Sequence, residues 1–205
     1  EGKTVIISCD HKKVKGLIAL SDTIKQESKE VIATIKKLGI TPIILSGDSK
    51  ASVKYTAGQL EISEYESDLL PEDKVNSISV LANKYTNVAM VGDGVNDTPA
   101  LAKSSVGIAM GAAGSDSAIE TSDIVILNDN IKVIEHLVEL GRKTAGKIKF
   151  NIALAIGIKS IIMVTAILGY TNLALAIFAD VGVTVIVVAN GLSLFNYGID
   201  KNRSI

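Results

Sequence analysis

The sequence predicts an α/β fold with a mostly parallel sheet, followed by a two-helix hairpin that spans a membrane. Three observations predict it. Residues 1–149 alternate short β-rich runs with helical patterns, the alternation that builds a parallel sheet covered on both faces. Within them, the apolar run Val88–Val91 passes into Gly92-Asp93-Gly94-Val95-Asn96-Asp97 and then a helix-like segment. Finally, Asn151–Tyr170 and Leu173–Tyr197 are long apolar runs whose only charges are Lys159 and Asp180.

Composition narrows the classes. The chain has 205 residues, is 47% hydrophobic and carries a net charge of −1, which gives no electrostatic footprint for a nucleic acid. Its one cysteine, Cys9, permits no internal disulfide and suits a reducing compartment. The start, EGKTVIISCD, lacks the basic stretch and long apolar middle of a signal peptide. It does not begin with Met, as expected for a piece of a longer protein.

In chain order, Lys3–Ser8 and Val14–Leu20 are β-rich runs separated by CDHKK, the pattern of a hairpin. Cys9, Asp10 and His11 are potential metal donors, but neighbours on one turn seldom converge on one ion, so a turn is expected. Asp22 precedes a helix over Thr23–Leu38, with Val31, Ile32, Ile35 and Leu38 on one face and Gly39 as its stop. Thr41–Leu45 reads as a buried strand. It runs into Ser46-Gly47-Asp48 and a helix through Leu60. A hydroxyl and free N–H groups at a helix N-terminus can hold an anion, or Ser46 and Asp48 can simply cap the helix.

Glu61–Leu70 reads as an acidic, exposed connection. Pro71-Glu72-Asp73-Lys74 opens the next helix, with Pro and acids suited to the first turn. Lys74 breaks that charge pattern: it is either a solvated surface lysine or a point charge for a phosphoryl oxygen. Asp93 and Asp97 flank a glycine turn at the carboxyl end of a strand, where α/β sheets bind ligands. Their hard oxygens suit Mg²⁺ held together with a substrate phosphate; the alternative is a polar turn in which Asn96 or Asp97 caps the next helix. Ser105–Met110, a polar helix near Gly114–Thr121, a strand at Asp123–Leu127 and a helix from Asn130 follow, with His136 on a helix face. Gly107, Gly111 and Gly114 have the wrong spacing for a dinucleotide fingerprint, and no P-loop is present.

Both apolar runs are long enough to cross a ~30 Å hydrocarbon core at ~1.5 Å per residue. Arg142, Lys143, Lys147 and Lys149 precede the first, and Lys201 and Arg203 follow the second. The positive-inside bias then places both ends in the cytoplasm and the Tyr170–Asn172 link outside. Counted from that link, Lys159 and Asp180 lie at depths of ~17 and ~14 Å, close enough to pair. Such charges inside a span are functional-site hypotheses by default; a purely structural ion pair is the alternative.

Val88–Ala102, VAMVGDGVNDTPALA, closely resembles the GDGxNDxPAL hinge motif of P-type ATPases, cation pumps of the haloacid dehalogenase superfamily. Asp22 in ALSDTIK, SGD at 46–48 and PEDK at 71–74 stand in the same order as that family's other soluble signals, with Ser46 where most relatives have Thr. The resemblance runs from near residue 1 to near residue 198. It implies a Rossmann-like, haloacid dehalogenase-type sheet. Residues 1–20 would be the last hairpin of a nucleotide-binding domain, 21–145 most of a phosphorylation domain, and 146–205 the transmembrane hairpin. It also implies that Ser46, Gly47, Asp48, Lys74 and Asn96 contact the transferred phosphoryl group, that Lys74, Asp93 and Asp97 are catalytic, and that Asp93 and Asp97 hold Mg²⁺. ATP would be the phosphoryl donor.

FNIALAIGIK and FADVGVTVIVVAN resemble the last two helices of the zinc/cadmium/lead-transporting subclass. Asp180 would bind the exported Zn²⁺ or Cd²⁺, with Lys159 as counter-charge. Phe150 and NGLSLFN depart from that subclass without touching either residue. No DKTGT motif, which carries the family's nucleophile, occurs in the chain. The expectation is therefore the C-terminal part of a Zn²⁺/Cd²⁺ export pump in the cell membrane, inactive by itself and partnered by the lipid bilayer and the remainder of the pump. The rival readings are a copper-class pump and a non-catalytic, membrane-anchored metal-binding or regulatory module.

Overall fold

The computed structural model describes residues 4–10, 13–20, 23–93, 96–111, 116–128 and 130–202. His11, Asp22, Gly94, Val95, Gly114 and Arg203, all named above, lie outside them, as do the side chains of residues 196–202. Two compact units divide between Glu135 and His136.

The first unit begins with a hairpin, β1 (Thr4–Asp10) and β2 (Lys13–Leu20), paired antiparallel from Thr4 opposite Leu20 to Asp10 opposite Lys13. Its alternation is apolar on both faces, and both faces are exposed: Val5 and Ile7 on one, Ile6 on the other. Helix α1 (Gln26–Lys37) buries Val31 and Ile35, the centre of the expected face. Gly39, at φ +74, lets Ile40 N–H reach back to Ile35 O at 3.2 Å. That left-handed residue closes the helix end.

Strand β3 (Ile43–Leu45) pairs in parallel with β4 (Glu64–Glu66). The strand at Glu64–Glu66 falls where an exposed connection was expected. Acidic composition hid it, because its carboxylates have partners on α3 (Pro71–Tyr85). Glu64 accepts from Lys84 Nζ at 2.9 Å and from Tyr85 Oη at 2.8 Å, and Glu66 accepts from Ser77 Oγ. The Lys84 ammonium, then the Tyr85 hydroxyl, hold the Glu64 carboxyl below its ordinary range. Between β3 and β4 lies α2 (Lys50–Gln59), which buries Val53 and Ala57.

A second parallel ladder joins β5 (Ala89–Gly92), β6 (Val106–Met110) and β7 (Ile124–Ile126) in sequence order. Between them run α4 (Thr98–Lys103) and α5 (Asp116–Thr121). The core packs Ile78 of α3, Met90 of β5, Ala100 and Leu101 of α4 and Ala109 of β6, with Leu45 of β3 against them. Gly107 fits this packing because a Cβ there would lie 2.8 Å from Leu101 O. That close approach, not a nucleotide, explains the glycine. Among the described residues, β3 bonds only to β4 and β5 only to β6. The two ladders thus share a core without a backbone hydrogen bond between them. With one edge unpaired, β3 is half-buried and not buried as its sequence predicts.

Helix α6 (Lys132–Ile167) runs 36 residues without a break and crosses from the first unit into the second. Gly169, at φ +79, ends it: Tyr170 N–H bonds Thr165 O at 2.9 Å. Asn172 Oδ1 then caps α7 (Leu173–Asn202), accepting from Leu175 N–H at 2.8 Å. Both helices contain stretches long and apolar enough to cross a membrane, with mean hydropathies of 2.0 and 2.2.

Candidate phosphoryl site and membrane ion pair

The β5–α4 turn sets the first candidate site. β5 ends at Gly92, and Asp93 follows with an exposed side chain. Asp97 starts α4 but makes no side-chain cap to it. Its Oδ1 instead accepts from Lys74 Nζ at 2.6 Å, the two side chains being only 14% and 15% exposed. Gly92 makes this possible, since a Cβ there would lie 2.8 Å from both Asp97 Cβ and Oδ2. Lys74 stands in the first turn of α3, where Leu70 N–H bonds Asp73 Oδ2 at 3.0 Å. Of the alternatives left by the sequence, Lys74 is not a solvated surface residue, and Asp97, though at the N-cap position, does not cap α4 with its side chain.

At the end of β3, Ser46 Oγ donates to Asp48 Oδ2 at 3.0 Å and accepts from Asp48 N–H at 3.1 Å. Neither caps α2, whose N-cap residue is Ser49. The loop is pinned to the segment before α3: Leu69 N–H bonds Ser46 O at 3.1 Å and Asp68 N–H bonds Asp48 O at 2.9 Å. A Cβ on Gly47 would lie 3.1 Å from Leu69 O. The hydrogen bonds thus tie the Ser46–Asp48 loop to the segment that enters the Lys74 turn, which in turn reaches Asp97. Asn96 is exposed beside it.

Hard carboxylate oxygens fit Mg²⁺ better than a softer ion. Asp93 offers an exposed carboxylate, and Asp97 keeps Oδ2 beyond the oxygen committed to Lys74. Among the described residues no three His, Cys, Asp or Glu side chains cluster as a metal cage, and a Mg²⁺ shared with a phosphate needs none. Cys9 is exposed on β1 and belongs to no such group.

The second site lies in the helical unit. Lys159 Nζ and Asp180 Oδ1 are 2.9 Å apart, the pairing that their depths suggest. Thr184 Oγ1 donates to Asp180 O at 2.9 Å. The pair sits in a cleft of ≈ 230 Å³ whose other lining is apolar side chains of α6 and α7.

Sequence reasoning missed a third polar group. Lys147, counted above only as a flanking positive charge, donates to Asn190 O and Oδ1 at 3.1 Å each, and to Ser193 Oγ. Asn190 Nδ2 donates to Asn151 Oδ1 at 2.6 Å. The legible signal was two asparagines at the same end of two apolar runs, where an unpaired amide is costly.

Residues 1–104 match the haloacid dehalogenase-like hydrolase family. The chain is 45% identical over 195 residues to a probable cadmium-transporting ATPase of Alkalihalophilus pseudofirmus, covering 95% of this chain and 27% of that protein. It is 42% identical over 193 residues to the zinc/cadmium/lead-transporting P-type ATPase of Escherichia coli strain K12, covering 94% and 26%. The crystal structure of a zinc-transporting PIB-type ATPase in its E2.Pi state superposes with a TM-score of 0.85 at 41% identity, over 94% of this chain and 32% of that one. The chain thus spans about a quarter of the length of these relatives.

Proposed function

The chain belongs to the haloacid dehalogenase-like hydrolase family, and from that premise we propose that it is the C-terminal part of an ATP-driven Zn²⁺/Cd²⁺ export pump of the P-type ATPase family. The observation that carries the cargo class is the Lys159–Asp180 pair at 2.9 Å between two apolar helices. Charges in a span cost at least ~2.5–3.5 kcal/mol each on insertion scales and are retained for function. A carboxylate suits Zn²⁺ or Cd²⁺ better than Cu⁺. Asp180 binds the arriving cation, and the Lys159 ammonium, displaced from the carboxylate, returns to it on release.

The soluble unit supplies the phosphoryl site. In phosphoryl transfer the transition state spreads negative charge over oxygens, and catalysis is mainly positioning and electrostatic stabilisation. Lys74, oriented by Asp97, neutralises part of that charge. The Ser46 hydroxyl, turning from Asp48 Oδ2, and the Gly47 N–H bind phosphoryl oxygens, with Asp48 holding the loop beside them and Asn96 at the rim. Asp93 and Asp97 would hold Mg²⁺, which supplies a further positive charge to those oxygens. The nucleophile comes from the rest of the pump, because this chain has no DKTGT. The unpaired edges of β3 and β5, which flank one core, support a further strand entering from that part. By this reading the soluble unit and both ends of the hairpin are cytoplasmic, and the short link faces outward.

The test is ATP hydrolysis by the full-length protein in vesicles. Stimulation by Zn²⁺ and Cd²⁺, with uptake of the ion into inside-out vesicles, is expected. Stimulation by Cu⁺ alone would move the protein to the copper class. No stimulation by any of the three would leave a non-pumping membrane module.

A further inference from the structure

The cleft that holds Lys159 and Asp180 is lined by one more residue with a donor atom, Met163, whose side chain carries a thioether sulfur. We propose that Met163 is a second, soft ligand for the ion carried at Asp180, and that it biases this site toward Cd²⁺ over Zn²⁺. The inference rests on the pump reading above and deepens it.

Met163 lies four residues beyond Lys159 on α6, so both side chains share one helix face, one turn apart. Every other residue lining the cleft, Lys159 and Asp180 aside, is an alanine, valine or isoleucine and offers no side-chain donor. An ion that displaces the ammonium from Asp180 therefore meets one hard oxygen donor and one polarisable sulfur from this chain. Ala176 and Ala179 lie on the α7 side of the cleft, and their short side chains leave the space open. The cleft, of ≈ 230 Å³, is open and leaves room for a cation beside Asp180.

The sulfur also suits the empty state. A thioether carries no charge and no strong hydrogen-bonding demand, so it rests in an apolar cleft at little cost while Lys159 and Asp180 neutralise one another. Sulfur donors discriminate by softness. Cd²⁺ is the softer of the two ions, so the thioether contributes more to its binding than to that of Zn²⁺.

The test compares the full-length pump with Met163→Leu and Met163→Cys, measuring ATP hydrolysis in vesicles against free Cd²⁺ and free Zn²⁺. Leucine conserves volume and removes only the donor. Met163→Leu is expected to raise the half-stimulating Cd²⁺ concentration about tenfold and that of Zn²⁺ about twofold. Met163→Cys, which restores sulfur, should recover the Cd²⁺ value. Equal shifts for both ions, or a Cys variant that behaves like Leu, would show that Met163 only packs and would overturn the inference. If a variant does not turn over, the same ratio is read from Cd²⁺ and Zn²⁺ binding to the purified pump. An unmodified pump that neither ion stimulates would instead remove the pump reading itself.

Discussion

Asp97 turns its carboxylate to Lys74, 2.6 Å away, and leaves the first turn of α4 without a side-chain cap. A residue placed to start a helix has been used to aim a lysine. With both side chains mostly buried, the ammonium is held in one position, ready for the phosphoryl group that the proposed function brings to it. This is the preorganisation that makes an electrostatic contribution large.

Removing Lys74 should therefore act on turnover. In the full-length pump, Lys74→Ala is expected to lower metal-stimulated ATP hydrolysis by about 10²–10³-fold. Asp97→Asn, which keeps the shape but loses the charge, should cost a comparable amount. A steady-state assay decides it; variants within twofold of the unmodified pump would return the pair to a structural role.

Gly92→Ala tests the same geometry from the other side. The added Cβ would meet Asp97 Cβ and Oδ2 at 2.8 Å, so the carboxylate must leave Lys74. Turnover should fall by more than about tenfold. The melting temperature should fall as well, because Asp97 Cβ cannot turn away by side-chain rotation and the backbone of the turn must shift. Activity lost only in proportion to folded protein would argue for misfolding instead.

Much of this was legible in the sequence, and the exceptions have physical causes. GDGVND announced the turn after β5, and Pro71 with its acids announced α3. The Lys74–Asp97 bond was not legible, because it joins residues 23 positions apart and each had a common local alternative. Strand β4 was hidden by its own carboxylates, which look solvated until α3 supplies Lys84, Tyr85 and Ser77. Lys159 and Asp180 were legible because a charge in an apolar run has few uses. Lys147 was not, since a lysine at the edge of such a run is ordinary. Its partners Asn190 and Ser193 sit more than 40 residues away.

At the membrane pair the two partners should fail differently. Asp180→Ala removes the proposed ligand and should abolish stimulation by Zn²⁺ and Cd²⁺. Lys159→Met leaves the carboxylate but no internal counter-charge. It should slow ion release, so that turnover falls while binding of the ion to the purified pump persists. Radiometal binding together with hydrolysis separates the cases; metal stimulation that survives Asp180→Ala would end the ligand assignment.

The Lys147–Asn190–Asn151 group should hold the two helices together at one end. Asn190→Leu leaves Asn151 Oδ1 without its donor and Lys147 with one acceptor fewer. It is expected to destabilise the pump in detergent by about 1–3 kcal/mol. The double change Asn151→Leu with Asn190→Leu should be milder than the sum of the single changes, since it removes both amides together. Additive losses in thermal unfolding would mean that the two asparagines act independently.

The opening hairpin has a practical corollary. Val5, Ile6, Ile7, Leu17 and Ile18 all lie exposed, on both faces of a two-stranded ribbon with open edges. Bare edges and oily faces are the template on which chains stack into cross-β assemblies. Expressed by itself, even shorn of its helices, the polypeptide should be sticky and concentration-sensitive. Charged substitutions at Ile6 and Ile18, paired across the ribbon, should improve the colloidal behaviour of the polypeptide without its helices.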